Sequence, residues 1–159
     1  LLLLQVLVID NIRLGYYVHP YIYVLFIFLL PFNIPQWQLL LLGFFSGFSV
    51  DLFNGTPGLN AAATVMMAFV RPFVINAMTR RKDINPNDEP SLYNMGISWF
   101  IVYSILLLLI HNVTLFLLEA FSFKLICVVL TQTLMSVFSS LMLIFIILLL
   151  FKKSNKKLI

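Results

Sequence analysis

The sequence predicts an all-α integral membrane protein, a bundle of six transmembrane helices. Hydrophobic residues make up 62% of the 159 residues and charged residues only 10%, whereas a soluble domain is about half apolar and about one quarter charged. The mean hydropathy is +1.03, and a soluble fold of this size lacks the interior to bury so much apolar side chain. Composition thus excludes an ordinary cytosolic enzyme. The aromatic content of 15% also excludes disorder.

The six predicted spans are read from apolar runs separated by turn residues. The first run ends at Asp10 and is shorter than the roughly 20 residues that cross a bilayer. Since the sequence begins at Leu1 rather than at a methionine, we expect this span to be truncated at its N-terminus. We expect a single transmembrane domain over 1–159 that ends in a basic tail at 152–159. The other five predicted spans are 16–30, 37–53, 59–78, 92–118 and 125–151.

The distribution of basic residues predicts the orientation of this bundle. With six spans, one side carries seven lysines and arginines, in the loop 80–90 and the tail, and the other carries only Arg13 and Lys124. By the positive-inside rule, both termini and the loop are then cytoplasmic, and the turn 54–58 lies on the opposite side of the membrane. The net charge of +4 is explained by this asymmetry beside anionic lipid, and we expect no nucleic-acid partner.

The sequence contains no recognisable catalytic or metal-binding motif. Cys127 is the only cysteine, and the only histidines are His19 and His111. A Gly-rich phosphate loop and a Gly-x-Ser-x-Gly motif are both absent from the sequence. His111 shares a helix face with Ser104 and Thr114, and a hydrogen-bonded packing role is favoured over a catalytic one. We therefore expect no enzyme activity, no cofactor and no metal site.

The most informative stretch is a small-residue face that ends in an acid. Gly43 and Gly47 form a GxxxG unit, which lets two helix backbones approach closely, and Asp51 lies one turn further along the same face. A carboxylate at the membrane must be satisfied. We expect Asp51 to accept backbone N–H groups of the following turn or of the start of the next span.

Two further polar features lie inside predicted spans. Arg71 precedes Pro72, and two interpretations stay open for it: its side chain reaches the lipid headgroups, or it has an internal partner. The last span carries a polar stripe that is expected to join helices. The stripe consists of Gln132, Ser136, Ser139 and Ser140.

The segment Gly47-Phe48-Ser49-Val50-Asp51, followed by Gly55, Pro57, Gly58 and an alanine-rich helix start at 61–63, resembles the MreD family of bacterial rod shape-determining membrane proteins. The segment 21–35 and the Arg71-Pro72 step resemble the version found in Bacteroidota. The resemblance implies a fold like the substrate-binding subunits of energy-coupling-factor transporters, without catalysis, in the bacterial inner membrane. It also implies binding to MreC within the cell-elongation machinery, which contains MreB, RodA and a class B penicillin-binding protein. The structural or partner-binding candidates are Gly43, Gly47, Asp51, Gly55, Pro57, Gly58 and Arg71.

Two other functions are weighed against this one. A small-solute subunit of an energy-coupling-factor-type transporter needs a polar pocket, which His111, Asn112, Gln132 and Asp51 would line. A membrane enzyme acting on lipid-linked precursors is the weakest alternative, because it needs clustered acids. Asp51 and Glu119 lie far apart in the sequence and in different spans.

The predicted orientation is testable by cysteine labelling in intact cells. In a Cys127→Ser background, a cysteine introduced at Thr56 should react with an impermeant thiol reagent and one at Asn87 should not, because one predicted span separates them. Labelling at 87 without labelling at 56 would reverse the assignment.

Overall fold

The computed structural model describes residue 5 and residues 20–79, 90, 95–120 and 126–150, and the regular secondary structure in these residues is helical. The all-α class is thereby confirmed. Within these residues the bounds of five α-helices are given: α1 Leu25–Phe28, α2 Gln36–Asn54, α3 Leu59–Thr79, α4 Ile97–Ala120 and α5 Ile126–Leu150.

Three of these helices are long and apolar enough to cross a membrane: Leu59–Thr79, Ile97–Ala120 and the Val129–Leu148 part of α5. They fit a membrane protein. The described residues do not support the predicted count of six spans. The first predicted span lies outside the described residues apart from Gln5, as do the tail and most of the polar loop.

The predicted span 16–30 is wrong in its described part. Only Leu25–Phe28 is α-helical there, and the N–H of Leu25 bonds to the carbonyl of Ile22 three residues back, at 3.0 Å. Aromatic and β-branched residues lose side-chain freedom in a helix, and Tyr21–Val24 consists of nothing else. Pro31 follows the segment and cannot continue its hydrogen-bond ladder.

The other predicted spans correspond to helices with shifted ends. The predicted spans 37–53, 59–78 and 125–151 become α2, α3 and α5. α4 begins at Ile97, five residues later than predicted. The reason is Gly96, whose φ of +89° is left-handed and interrupts a right-handed helix.

The interrupted segment 20–30 lies at the centre of the hydrophobic core. Tyr23, Val24, Ile27 and Phe28 are fully buried, and they pack in one cluster with residues from α2, α3, α4 and α5. Along the chain α2 packs on α3, α3 on α4 and α4 on α5. The longer helices thus surround a short piece of chain that is mostly not helical.

The outer faces of α2 and α5 are strongly apolar. In water such a surface would be an aggregation hazard, whereas in hydrocarbon it costs nothing. This surface therefore agrees with a membrane location. Its exposed large side chains are Trp37, Leu41, Phe44, Phe45, Phe48, Leu52 and Phe53 on α2, and Leu130, Leu134, Met135, Phe138, Met142, Phe145 and Ile146 on α5.

Candidate functional site

The glycines of the GxxxG unit face the start of α3. A Cβ added at Gly47 would lie 2.5 Å from the carbonyl oxygen of Asn60 and 2.6 Å from the Cα of Ala61. These are backbone atoms, so no side-chain rotation would relieve the clash. At Gly43 the nearest atom would be the Cβ of Ala68, at 3.2 Å. Of the two glycines, Gly47 therefore lies closer to the backbone of α3.

Asp51 is a helix cap supplied by the preceding helix. Its carboxylate Oδ1 accepts the backbone N–H of Asn60 at 3.1 Å and the amide Nδ2 of the same residue at 3.0 Å. Oδ2 accepts the N–H of Ala61 at 2.8 Å, and the hydroxyl of Thr56 donates to Oδ1. The first N–H groups of a helix have no partner within the helix. Asp51, 2% exposed, satisfies two of them and braces the turn.

The turn between α2 and α3 depends on two left-handed glycines. Gly55 ends α2 with φ +66° and donates its N–H to the carbonyl of Asp51. Gly58 has φ +81° and directly precedes α3, where a glycine has no side chain to cap the helix. Other residues rarely adopt these angles. Asp51 supplies the cap that Gly58 lacks.

Pro57 lies on the exposed side of this turn and helps to line an apolar groove between α2 and α3. The groove has a volume of about 520 Å³. Phe44 and Phe48, whose rings stack at 5.6 Å, form one wall, and Ala61 and Ala62 form the other. The groove opens to the outside of the bundle.

Arg71 lies apart from this junction and has internal partners. Its side chain is 1% exposed. Its Nε donates to the hydroxyl of Tyr103 at 2.8 Å, and its Nη2 donates to the carbonyl of Leu30. The interpretation with an internal partner is thus confirmed. The structure does not pair Arg71 with Asp51, whose oxygens are bound at the start of α3.

A second polar cluster joins Tyr23, Thr64 and His111. The hydroxyl of Tyr23 is 2.8 Å from the Thr64 Oγ1 and 2.8 Å from the Nε2 of His111. The Thr64 hydroxyl donates to the carbonyl of Asn60 at 2.7 Å, which connects this cluster to Asp51. His111 is fully buried, a hydrogen-bonded residue of the bundle interior. The sequence analysis did not identify Tyr23 and Thr64 as partners of His111. The only signal for them in the sequence is a tyrosine inside an apolar run.

The start of the interrupted segment is held by side chains from distant parts of the chain. The amide of Gln5 donates to the carbonyl of Pro20 at 3.0 Å and accepts the N–H of Ile22 at 2.8 Å. The N–H of Tyr21 donates to the Oγ of Ser140 at 2.8 Å. Ser140 belongs to the predicted polar stripe, which here joins α5 to the core.

The end of the segment is held in the same way. The hydroxyl of Tyr103 donates to the carbonyl of Phe28 at 3.2 Å, next to the bond from Arg71 to Leu30. Non-helical backbone at membrane depth is tolerated only where protein or water satisfies it. Within the segment the N–H groups of residues 25–29 bond to its own carbonyls, and the groups at its two ends are satisfied by side chains.

No family model, no curated protein and no solved structure matches the chain. Among the described residues there is no group of three or more His, Cys, Asp or Glu side chains placed to hold a metal ion. Asp51 accepts four hydrogen bonds and has no free oxygen directed at solvent. What this site does chemically is to join two helices.

Enlarging Gly47 should destabilise the bundle. Gly47→Leu drives a side chain into the backbone of α3, and we expect the free energy of unfolding to fall by about 1–3 kcal/mol or more. Thermal unfolding in detergent measures this. Gly43→Ala is the matched control and should cost less, because its Cβ would meet a side chain at 3.2 Å. Equal stability of Gly47→Leu and the native chain would show that this face does not pack.

Removing the charge of Asp51 should weaken the cap. In Asp51→Asn one of the two oxygens becomes an NH₂ group, which cannot accept an N–H. We expect a loss of about 1.5–3 kcal/mol, the usual worth of hydrogen bonds to a charged group. Chemical or thermal unfolding measures the loss, with Glu119→Gln, an exposed acid on α4, as the control. A cap without energetic importance would leave both variants equally stable.

Proposed function

We propose that this chain is a non-catalytic membrane scaffold of the MreD type in the bacterial inner membrane. In this role it belongs to the cell-elongation complex and helps to determine cell shape. It binds MreC and links the MreB cytoskeleton to the peptidoglycan synthases, RodA and a class B penicillin-binding protein. The proposal includes the six-span topology with both termini in the cytoplasm.

The observation that carries the proposal is the structural role of each motif residue. Gly47 lies against the backbone of α3, Asp51 caps α3, and Gly55 and Gly58 are left-handed. Gly47, Asp51, Gly55 and Gly58 are close in sequence and together build the α2–α3 corner. A corner held by such contacts suits a scaffold.

The chemistry of the junction favours binding over turnover. The carboxylate of Asp51 is engaged by donors from Thr56, Asn60 and Ala61, which gives it a bracing role. The groove beside Pro57 is largely apolar and suits the side chains of a partner better than a polar substrate. We assign the accessible side of this turn to partner contact.

One observation favours the transport subunit as a second candidate. The Nδ1 of His111, the Oδ1 of Asn112 and the Oγ of Ser104 are buried on α4 without a hydrogen-bond partner in the described structure. Buried polar groups of this kind normally find a partner, and a bound polar solute would provide one. Asp51 does not strengthen this reading, because it is engaged at the α2–α3 junction.

The two candidates differ in the proteins that they retain. Affinity purification of the tagged chain from native membranes, with identification by mass spectrometry, should recover MreC and wall-synthesis proteins. Recovery of an ATPase pair and its coupling subunit, without wall-synthesis proteins, would replace the scaffold with the transport subunit.

Asp51→Asn provides the matched test against catalysis. The variant is expressed in a strain depleted of the native protein. If Asp51 is structural, Asp51→Asn should reduce the protein level, the retention of MreC and the rod shape of the cells modestly and together. Complete loss of rod shape at normal protein level and normal MreC binding would revive a chemical role for Asp51.

A further inference from the structure

Arg71 is a fully buried cation that has no acidic partner among the described residues. Its two hydrogen bonds end on neutral oxygens, the phenol of Tyr103 and the carbonyl of Leu30. A buried charge without compensation is costly, and proteins bury one only where its surroundings favour it. The oxygens that accept its hydrogen bonds, those of Tyr103 and Leu30, form its cation site.

The free carbonyls at the end of α1 form this site. The last carbonyls of any helix lack partners within the helix, and Pro31, which has no N–H, cannot bond back to Ile27. Arg71 binds the carbonyl of Leu30 directly and reaches that of Phe28 through the hydroxyl of Tyr103. Two carbonyls at the C-terminal end of segment 20–30 are thus bound by Arg71 and by its hydrogen-bond partner Tyr103.

We infer that Arg71 acts as a covalently attached cation. In ion-coupled transporters the carbonyls of interrupted membrane segments bind a dissociable ion, and here the guanidinium of Arg71 occupies the equivalent place. The site accepts a small planar cation of the guanidinium class, and the chain's own side chain fills it permanently. The interrupted segment is then locked and needs no ion from solution. This inference does not depend on the proposed partners.

The geometry explains why the group is an arginine. Nε and Nη2 donate to Tyr103 and to Leu30 from two separate nitrogens of one rigid plane, whereas the three donors of an ammonium share a single nitrogen on a flexible stem. The indole of Trp99 stacks on the ring of Tyr103 at 4.9 Å, with the planes 18° apart. The stacking holds the phenol in place and makes Trp99 a fluorescent reporter for the site.

Chemical rescue tests the inference. In a Trp37→Phe background, which leaves Trp99 as the only tryptophan, the purified Arg71→Ala protein in lipid nanodiscs is unfolded by heat with and without millimolar guanidinium. We expect Arg71→Ala to lower Tm by roughly 5–10 °C and guanidinium to restore most of the loss. The same concentration of sodium chloride controls for ionic strength.

Arg71→Met is the matched control, because it keeps most of the side-chain volume, lacks the charge and fills the space that guanidinium needs. It should be as unstable as Arg71→Ala and should not be rescued. A native-like Tm for Arg71→Met, or an Arg71→Ala protein indifferent to guanidinium, would overturn the inference. If Arg71→Ala does not fold, Arg71→Lys must be more stable than Arg71→Met, and equal stability of the two would overturn it.

Discussion

The structure depends on satisfying the two ends of a short buried segment whose middle alone is helical and pairs its own backbone. Segment 20–30 lies in the core of a membrane bundle, where an unpaired N–H or carbonyl costs several kcal/mol. Its partners come from the side chains of the surrounding chain: Gln5 and Ser140 at its start, and Tyr103 and Arg71 at its end. Several polar residues of this apolar sequence thus share one role. They make the hydrogen bonds to the backbone that the segment cannot make itself.

The same requirement shapes the α2–α3 junction. There a tight turn leaves the first N–H groups of α3 without partners, and Asp51 reaches across from α2 to accept them. The short reach is possible only because Gly47 lets the two backbones nearly touch. The α2–α3 junction and the hydrogen bonds at the ends of segment 20–30 both lie inside the bundle, and both stabilise its shape. A body of this kind suits a protein that binds others, which is why we place the scaffold above the transporter.

The sequence was informative where the deciding contacts are local. Gly47 and Asp51 lie on one helix face and the next helix starts within a few residues, so periodicity alone placed the carboxylate near that start. The predicted span 16–30 was wrong in its described part because an apolar run indicates burial in the membrane and not a helical backbone. Tyr23 and His111 are 88 positions apart, and no local pattern brings them together. The two interpretations of Arg71 differ in whether its side chain contacts lipid headgroups or residues inside the bundle. That depends on the fold and cannot be read from the local sequence.

The most direct test of this account is the backbone conformation of residues 21–24 in a lipid bilayer. Secondary chemical shifts from solid-state NMR, with selective labelling of tyrosine, isoleucine and valine, report it residue by residue. The account predicts non-helical shifts at Tyr21 and Ile22, before α1 begins at Leu25. Continuous helical shifts from 20 to 30 would contradict it, because an uninterrupted helix satisfies its own backbone and needs none of these side chains.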